Sequence, residues 1–220
     1  MNVLSLPQLQ GAVLATAQTL DALEIDYAIM GGAAVCLLVQ DPSRQTEDVD
    51  LVIHVDQRTI TADRLTQRLL TSHSSLFGSI DQYGHTIPGY KMPLPGGGHR
   101  LVQLEIFDLE SWPHRPQYNL ATASRRTVMV QGHAVKVFSP AWLLREKVLS
   151  QYQRPGGLKG RIDIRDIIAL ERITPPAGQP EVDFGNDHTL ATALVELLRK
   201  RPDLRERLKR KIKCAAVFGD

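Results

Sequence analysis

The sequence predicts an α+β fold: a small mixed sheet flanked by helices, followed by a helical C-terminal part. Three observations carry this. Short β-branched runs alternate with helical-period segments through the first 138 of the 220 residues. "RTVMVQGHAVKVFS" (126–139) reads as a hairpin with Gly132 in its turn. Beyond residue 139 the patterns are helical. The domain boundary is therefore placed between an α/β domain, 1–138, and a helical region with a basic tail, 139–220.

Taken in order, "PQLQGAVLATAQTLDAL" (7–23) has apolar residues at helical spacing, with Pro7 in the first turn. "DYAIM" is a short buried strand, stopped by Gly31 and Gly32. "AAVCLLV" then reads as a helix beginning at or just after that pair, and "DPSRQT" as a loop. "DVDLVIHV" (48–55) is the clearest strand, and "QRTITADRLTQRLLTSH" (57–73) an amphipathic helix. Strands are expected near 76–82 and 101–107, separated by "GYKMPLPGGGHR" (89–100), which reads as a turn or mobile loop. After the hairpin, Ser139 suits an N-cap and Pro140 the first helical position of "SPAWLLREKVLSQY". "RPGGLKG" breaks that helix, "RIDIRDIIALERI" is another, and "TPPAGQPEVDFGND" is a linker. Two helices, near 187–200 and 202–214, close the chain.

Composition narrows the class. The chain is 43% hydrophobic but only 5% aromatic, so aliphatic packing must build the core. Residues 199–213 hold nine Lys or Arg against two acids. Against an overall charge of +2, that leaves a mildly acidic body with a basic tail. Such a run fits either nucleic-acid phosphates or a solvated helix face, and it holds no aromatics to stack on bases. Cys36 and Cys214 lack a CxxC or histidine partner at metal spacing and are expected as reduced thiols. With no leader-like start and no apolar stretch near the roughly 20 residues of a membrane span, a soluble, cytoplasmic protein is expected.

The chemistry concentrates in "MGGAAVCLLVQDPSRQTEDVDLVI" (30–53). Asp48 and Asp50 are two apart on a strand, so both face one side. Paired carboxylates repel, and a hard divalent cation such as Mg²⁺ resolves the repulsion. Gly31-Gly32 lies at a strand-to-helix junction, where backbone N–H groups and the helix dipole suit a phosphate. In "RLVQLEIFD", alternation puts Gln103 and Glu105 on one face, with Leu104 and Ile106 on the other. Glu105 is the leading candidate for a third acid, and Asp108, at the strand end on the opposite parity, is the second.

Gly31-Gly32 followed by Arg44-x-Thr46-x-Asp48-Val49-Asp50-Leu51 resembles the signature of the DNA polymerase β-like nucleotidyltransferase superfamily, especially its abortive-infection and minimal nucleotidyltransferase-like branches. The resemblance spans roughly residues 24–172 and continues in the segment carrying Lys147, Lys159, Asp163 and Asp166. It implies a nucleotidyltransferase fold, with Asp48, Asp50 and Glu105 as catalytic residues holding Mg²⁺ or Mn²⁺. By the same resemblance Gly31, Gly32, Arg44, Thr46 and Lys147 bind nucleotide, with Arg44 on a phosphate, Thr46 on the loop backbone, and Asp163 and Asp166 orienting Lys147 or Arg161. Ala33 and Ala34 stand where many members carry a serine, and Glu105 where the family more often has Asp. The implied reaction transfers a nucleoside monophosphate from a nucleoside triphosphate, ATP among them, to an RNA end, a protein side chain or a small molecule. The alternatives are a silent nucleotide-binding protein of the same fold and the toxin of a toxin–antitoxin pair.

Overall fold

The computed structural model describes residues 3–82, 84–176, 178–185 and 187–219. The chain divides into two compact units, Met1–Phe138 and Ser139–Asp220.

The first unit is built on a seven-stranded mixed sheet. Its strands are β1 (Tyr27–Met30), β2 (Asp48–Ile53), β3 (Phe77–Gln82), β4 (His85–Pro93), β5 (His99–Asp108), β6 (Arg125–Val130) and β7 (His133–Phe138). Their order across the sheet is β3-β4-β5-β2-β1-β7-β6. β1 is buried at every residue, as its uninterrupted apolar run requires of a central strand. β2 runs antiparallel to β1 and parallel to β5, with Asp48 opposite Gln103 and Asp50 opposite Glu105. Val49, Leu51 and Leu104, on the other face, are fully buried. The β6–β7 hairpin turns on Gln131 and Gly132, both at positive φ, as a two-residue hairpin turn demands.

Three helices complete this unit: α1 (Leu6–Ala22), α2 (Gly31–Val39) and α3 (Ala62–Ser72). The Ser5 N–H donates to Gln8 Oε1 at the start of α1. α2 begins on the first glycine of the pair. α3 starts later than its amphipathic pattern suggests, because the Thr61 hydroxyl caps it by accepting from the Arg64 N–H.

One expectation fails in this unit. Residues 89–100 were expected as a turn or mobile loop, yet 89–93 complete β4 and only 94–98 link it to β5. Pro88, Gly89 and Pro93 hide this strand from a propensity reading. Proline is tolerated where a strand lacks a ladder on one side, and β4 pairs at Pro88 with Ser79 of β3, its β5 ladder beginning only at Gly89.

The second unit is helical: α4 (Pro140–Gln153), α5 (Leu158–Ile173), α6 (His188–Lys200), α7 (Arg205–Lys209) and α8 (Ala215–Phe218). Ser139 accepts from the Trp142 N–H and caps α4. Asp187 accepts from the N–H groups of Thr189 and Leu190 and caps α6. α4 packs on α5 and α6. α5 starts three residues before the expected "RID" boundary, and a Cβ on Gly160 would lie 2.4 Å from the Arg154 carbonyl oxygen, so only glycine fits that close approach. The helix expected over 202–214 is instead a 3-10 turn at Pro202–Leu204, the short α7, and an extended stretch whose Lys213 bridges to Asp183. Pro202 and the interleaved charges leave no continuous apolar face for one helix.

The basic tail is knitted into its own unit. Arg199 pairs with Glu196, Arg201 with Asp203, Arg207 with Glu171 and Lys213 with Asp183. Lys200 donates to Gln151, Lys211 to the Thr174 carbonyl and Arg205 to the Val217 carbonyl. Neither reading of this run, phosphate contact or a solvated helix face, foresees these internal partners. No disulfide joins the buried Cys36 and Cys214. Among the described residues, no helix is long and apolar enough to cross a membrane.

Candidate active site

The parallel register of β2 and β5 builds the site. Because Asp50 faces Glu105 and Asp48 faces Gln103, and because strand side chains alternate, these four project from one side of the sheet. Asp48, Asp50 and Glu105 are half-buried, and each offers an oxygen within 4.8 Å of the others'. Three carboxylates this close repel one another, and a bound cation would offset that repulsion. The donor set is all carboxylate oxygen, with no thiolate or imidazole among the three. That chemistry fits Mg²⁺ or Mn²⁺ and does not select a soft metal.

Neighbouring side chains orient the acids. The Thr46 hydroxyl donates to Asp48 Oδ1 at 3.0 Å. Thr46 was expected on the loop backbone; its hydroxyl goes to Asp48, and its carbonyl oxygen accepts from the Leu4 N–H at 2.7 Å. Gln103 Nε2 donates to Glu105 Oε1 at 2.8 Å and to Gln82 Oε1 at 2.7 Å. Gln103 carried no assigned role in the sequence, although its shared parity with Glu105 was the available signal. Gln82 carried no signal there, since the divergence of β4 from β5 is invisible in sequence.

The glycine pair packs directly against this cluster. Gly31 has φ +63°, and a Cβ on it would sit 2.0 Å from Asp50 Oδ2. A Cβ on Gly32 would sit 2.6 Å from Thr46 Oγ1 and 3.0 Å from Arg44 Nη2. The start of α2 thus meets the Asp50 carboxylate, the Thr46 hydroxyl and the Arg44 guanidinium at close range. Arg44 is tied to its loop by a hydrogen bond from Nη1 to the Gln45 carbonyl. Its own carbonyl accepts from Cys36 Sγ at 3.2 Å. The structure therefore brings Gly31, Gly32, Arg44, Thr46, Asp48, Asp50 and Glu105 together.

Asp108, the second candidate for the third acid, lies elsewhere. It is fully buried and accepts from the Ala62 N–H at 2.7 Å, the Ser111 N–H at 2.5 Å and the Ser111 hydroxyl at 2.9 Å. It anchors the start of α3 and the turn after β5. Lys147 belongs to the second unit. Its ammonium lies 2.8 Å from both Asp163 Oδ1 and Asp166 Oδ2, with the two carboxylates 2% and 1% exposed. Burial alone would lower the Lys147 ammonium, but Asp166 and Asp163 outweigh it and hold it above its ordinary value. The expected partnership of Lys147 with Asp163 and Asp166 is present. Lys159 lies on the exposed first turn of α5.

Comparison with known proteins adds to the geometry. Residues 13–213 match the family model described as "Nucleotidyl transferase AbiEii toxin, Type IV TA system". The crystal structure of an antigenic nucleotidyltransferase-like protein from Paracoccidioides brasiliensis is 58% identical. It covers 99% of this chain and 100% of its own, with a TM-score of 0.95. The solution structure of the antibiotic-resistance factor ANT(2'')-Ia is 14% identical, over 91% of this chain and 95% of that one, with a TM-score of 0.48. No curated protein matches the chain.

Proposed function

The chain belongs to the AbiEii nucleotidyl transferase toxin family, and from that premise we propose that it transfers a nucleoside monophosphate from a nucleoside triphosphate to a hydroxyl acceptor at the Asp48–Asp50–Glu105 face. The single observation that carries this reading is the packing of the α2 N-terminus against Asp50, one of three clustered carboxylates. A helix start offers backbone N–H groups and positive dipole character to phosphate oxygens. The carboxylates beside it would hold Mg²⁺ or Mn²⁺, which when bound neutralises charge on the triphosphate and its leaving group.

The protein's own residues set the geometry. Thr46 holds Asp48 and Gln103 holds Glu105, so two of the three acids have fixed oxygens. Gly31 and Gly32 keep the floor of the site free of side chains. Arg44, beside Gly32, presents a delocalised cation suited to phosphate. These donors act where Ala33 and Ala34 supply no hydroxyl. Lys147 serves by clamping α4 to α5 through Asp163 and Asp166. The toxin reading uses this same chemistry, and the family match favours it over a silent binding protein.

The test incubates the full chain with each α-phosphate-radiolabelled nucleoside triphosphate, Mg²⁺ or Mn²⁺, and a mixture of cellular RNA, protein and small metabolites. Label should move to an acceptor with wild type and not with Asp48→Asn/Asp50→Asn. Equal labelling by both proteins, or nucleotide binding without any transfer, would refute the assignment of an active centre here.

A further inference from the structure

The register that gathers the acids also aims a further strand at them. Gln103 of β5 lies opposite Gly89 of β4, and Gly89 lies opposite Gly78 of β3. Opposed residues share a face, and alternation carries that face along β3 to Ile80 and Gln82. Gln82, the last residue of β3, therefore projects from the same side of the sheet as Gln103, Glu105, Asp48 and Asp50. β4 lies between β3 and β5, so a β3 side chain has to reach across it. Gly89 leaves the way open. A Cβ there would lie 2.8 Å from Ile80 Cδ1 and 3.1 Å from Leu101 Cβ, so side chains of β3 and β5 close over bare backbone. Past Gly89–Gln103 the β4–β5 ladder ends among the described residues, leaving a cavity of about 440 Å³ lined by both Gln82 and Glu105. A side-chain bridge spans this opening. Gln103 Nε2 donates to Gln82 Oε1 at 2.7 Å and to Glu105 Oε1 at 2.8 Å.

The chemistry of that bridge is directional. A primary amide carries two N–H donors, and Gln103 gives one to each acceptor. The last torsion of a glutamine side chain is broad, so an amide with a single partner swings or turns over easily. Turned over, Gln103 would set its own oxygen against the Glu105 carboxylate. With acceptors on both sides of Nε2, one amide orientation is satisfied, and it is the one that donates to Glu105. Glu105 is in turn one of the three carboxylates whose oxygens lie together.

Resting on the reading of Asp48, Asp50 and Glu105 as the metal-holding face, we propose that Gln82 is a positioning residue of that site. Its Oε1 locks the Gln103 amide, and the locked amide holds the Glu105 carboxylate in the orientation that receives the cation. The edge strand of the sheet thereby sets the metal affinity of a cluster that begins two strands further in.

A double-mutant cycle read by Mn²⁺ calorimetry on the full chain tests this. Gln82→Leu keeps most of the side-chain volume and removes the acceptor. It should weaken Mn²⁺ by about 3–10-fold, at or below the lower end of the roughly 10–100-fold typical of a group that touches a ligand directly. Combined with Gln103→Leu it should cost nothing beyond Gln103→Leu alone, because the effect of Gln82 passes through the Gln103 amide. A merely structural role would lower the affinity in both backgrounds alike. Gln82→Glu keeps an oxygen facing Nε2 and should bind Mn²⁺ at least as tightly as wild type. The proposal is overturned if Gln82→Leu binds Mn²⁺ within about twofold of wild type, if its loss recurs in the Gln103→Leu background, or if Gln82→Glu binds more weakly than wild type. Wild-type protein that takes up no Mn²⁺ would instead sink the metal-face reading itself, and the role of Gln82 would fall with it.

Discussion

Replacing Lys147 by Met removes an ammonium and keeps an unbranched chain of similar length, so the change is electrostatic and leaves little cavity. Asp163 and Asp166, both nearly fully buried, then lose the nitrogen that lies 2.8 Å from each. Arg154 stands 3.6 Å from Asp163 but is half-exposed and offers a weaker substitute. Breaking a buried pair by deleting one partner costs about 3–5 kcal/mol, because the remaining charge stays desolvated. Against a typical domain stability of about 5–15 kcal/mol, that is a large share. In wild type the ammonium is held above its ordinary value, so its contribution is complete below about pH 10 and is lost only as pH rises through the folded value. The Lys147 ammonium therefore adds no slope between about pH 5 and 8. Urea unfolding of the full chain at about pH 8, followed by the fluorescence of Trp142 on the same helix, reads the loss. A loss under about 1 kcal/mol would refute the reasoning.

Four further outcomes are expected. Gly31→Ala places a Cβ 2.0 Å from Asp50 Oδ2 on a backbone at φ +63°, so Mn²⁺ affinity should fall at least about tenfold by calorimetry. Thr46→Val and Gln103→Leu each release one carboxylate from its hydrogen bond and should weaken Mn²⁺ by about 10–100-fold while the circular dichroism spectrum holds. Asp108→Ala leaves the buried Ala62 N–H without its acceptor and should cost about 1–3 kcal/mol in chemical denaturation. Burial would raise the Asp26 carboxyl, but hydrogen bonds from Lys136 and Arg125 outweigh it and hold the group below its usual value. Its stabilisation is therefore present above about pH 4 and is lost as pH falls through the folded value. Asp26→Asn should lower stability at neutral pH by under about 1 kcal/mol, because the group is over a third exposed, and the melting-temperature gap should close in acid.

Some of the site was legible because its signals are local. Asp48 and Asp50 share a face through the two-residue period of a strand, and Glu105 shares parity with Gln103 for the same reason. The glycine pair before an apolar helical run marks a strand-to-helix junction by its own lack of side chains. What escaped were facts of pairing. The Thr46 carbonyl accepts from Leu4, forty-two positions away in the chain, a pairing no local pattern announces. β4 escaped because Pro88, Gly89 and Pro93 speak against a strand, while the β3 and β5 ladders on its flanks speak for it. The 202–214 region escaped because its charges look like a solvated helix until Glu171 and Asp183 are placed beside Arg207 and Lys213.

By itself the sequence determined the α+β class, the element boundaries marked by caps and glycines, and the residue types of a phosphate-and-metal site, since each depends on backbone preference or side-chain period within a few residues. Only the tertiary structure decided that β2 lies parallel to β5 with Asp50 opposite Glu105, that Asp108 anchors α3 instead of joining the acids, and that β4 and β5 diverge to leave a cavity beside Glu105. Those choices depend on which distant segments bury their apolar faces together. No local pattern encodes a strand's partner, its register, or the point where the partnership ends.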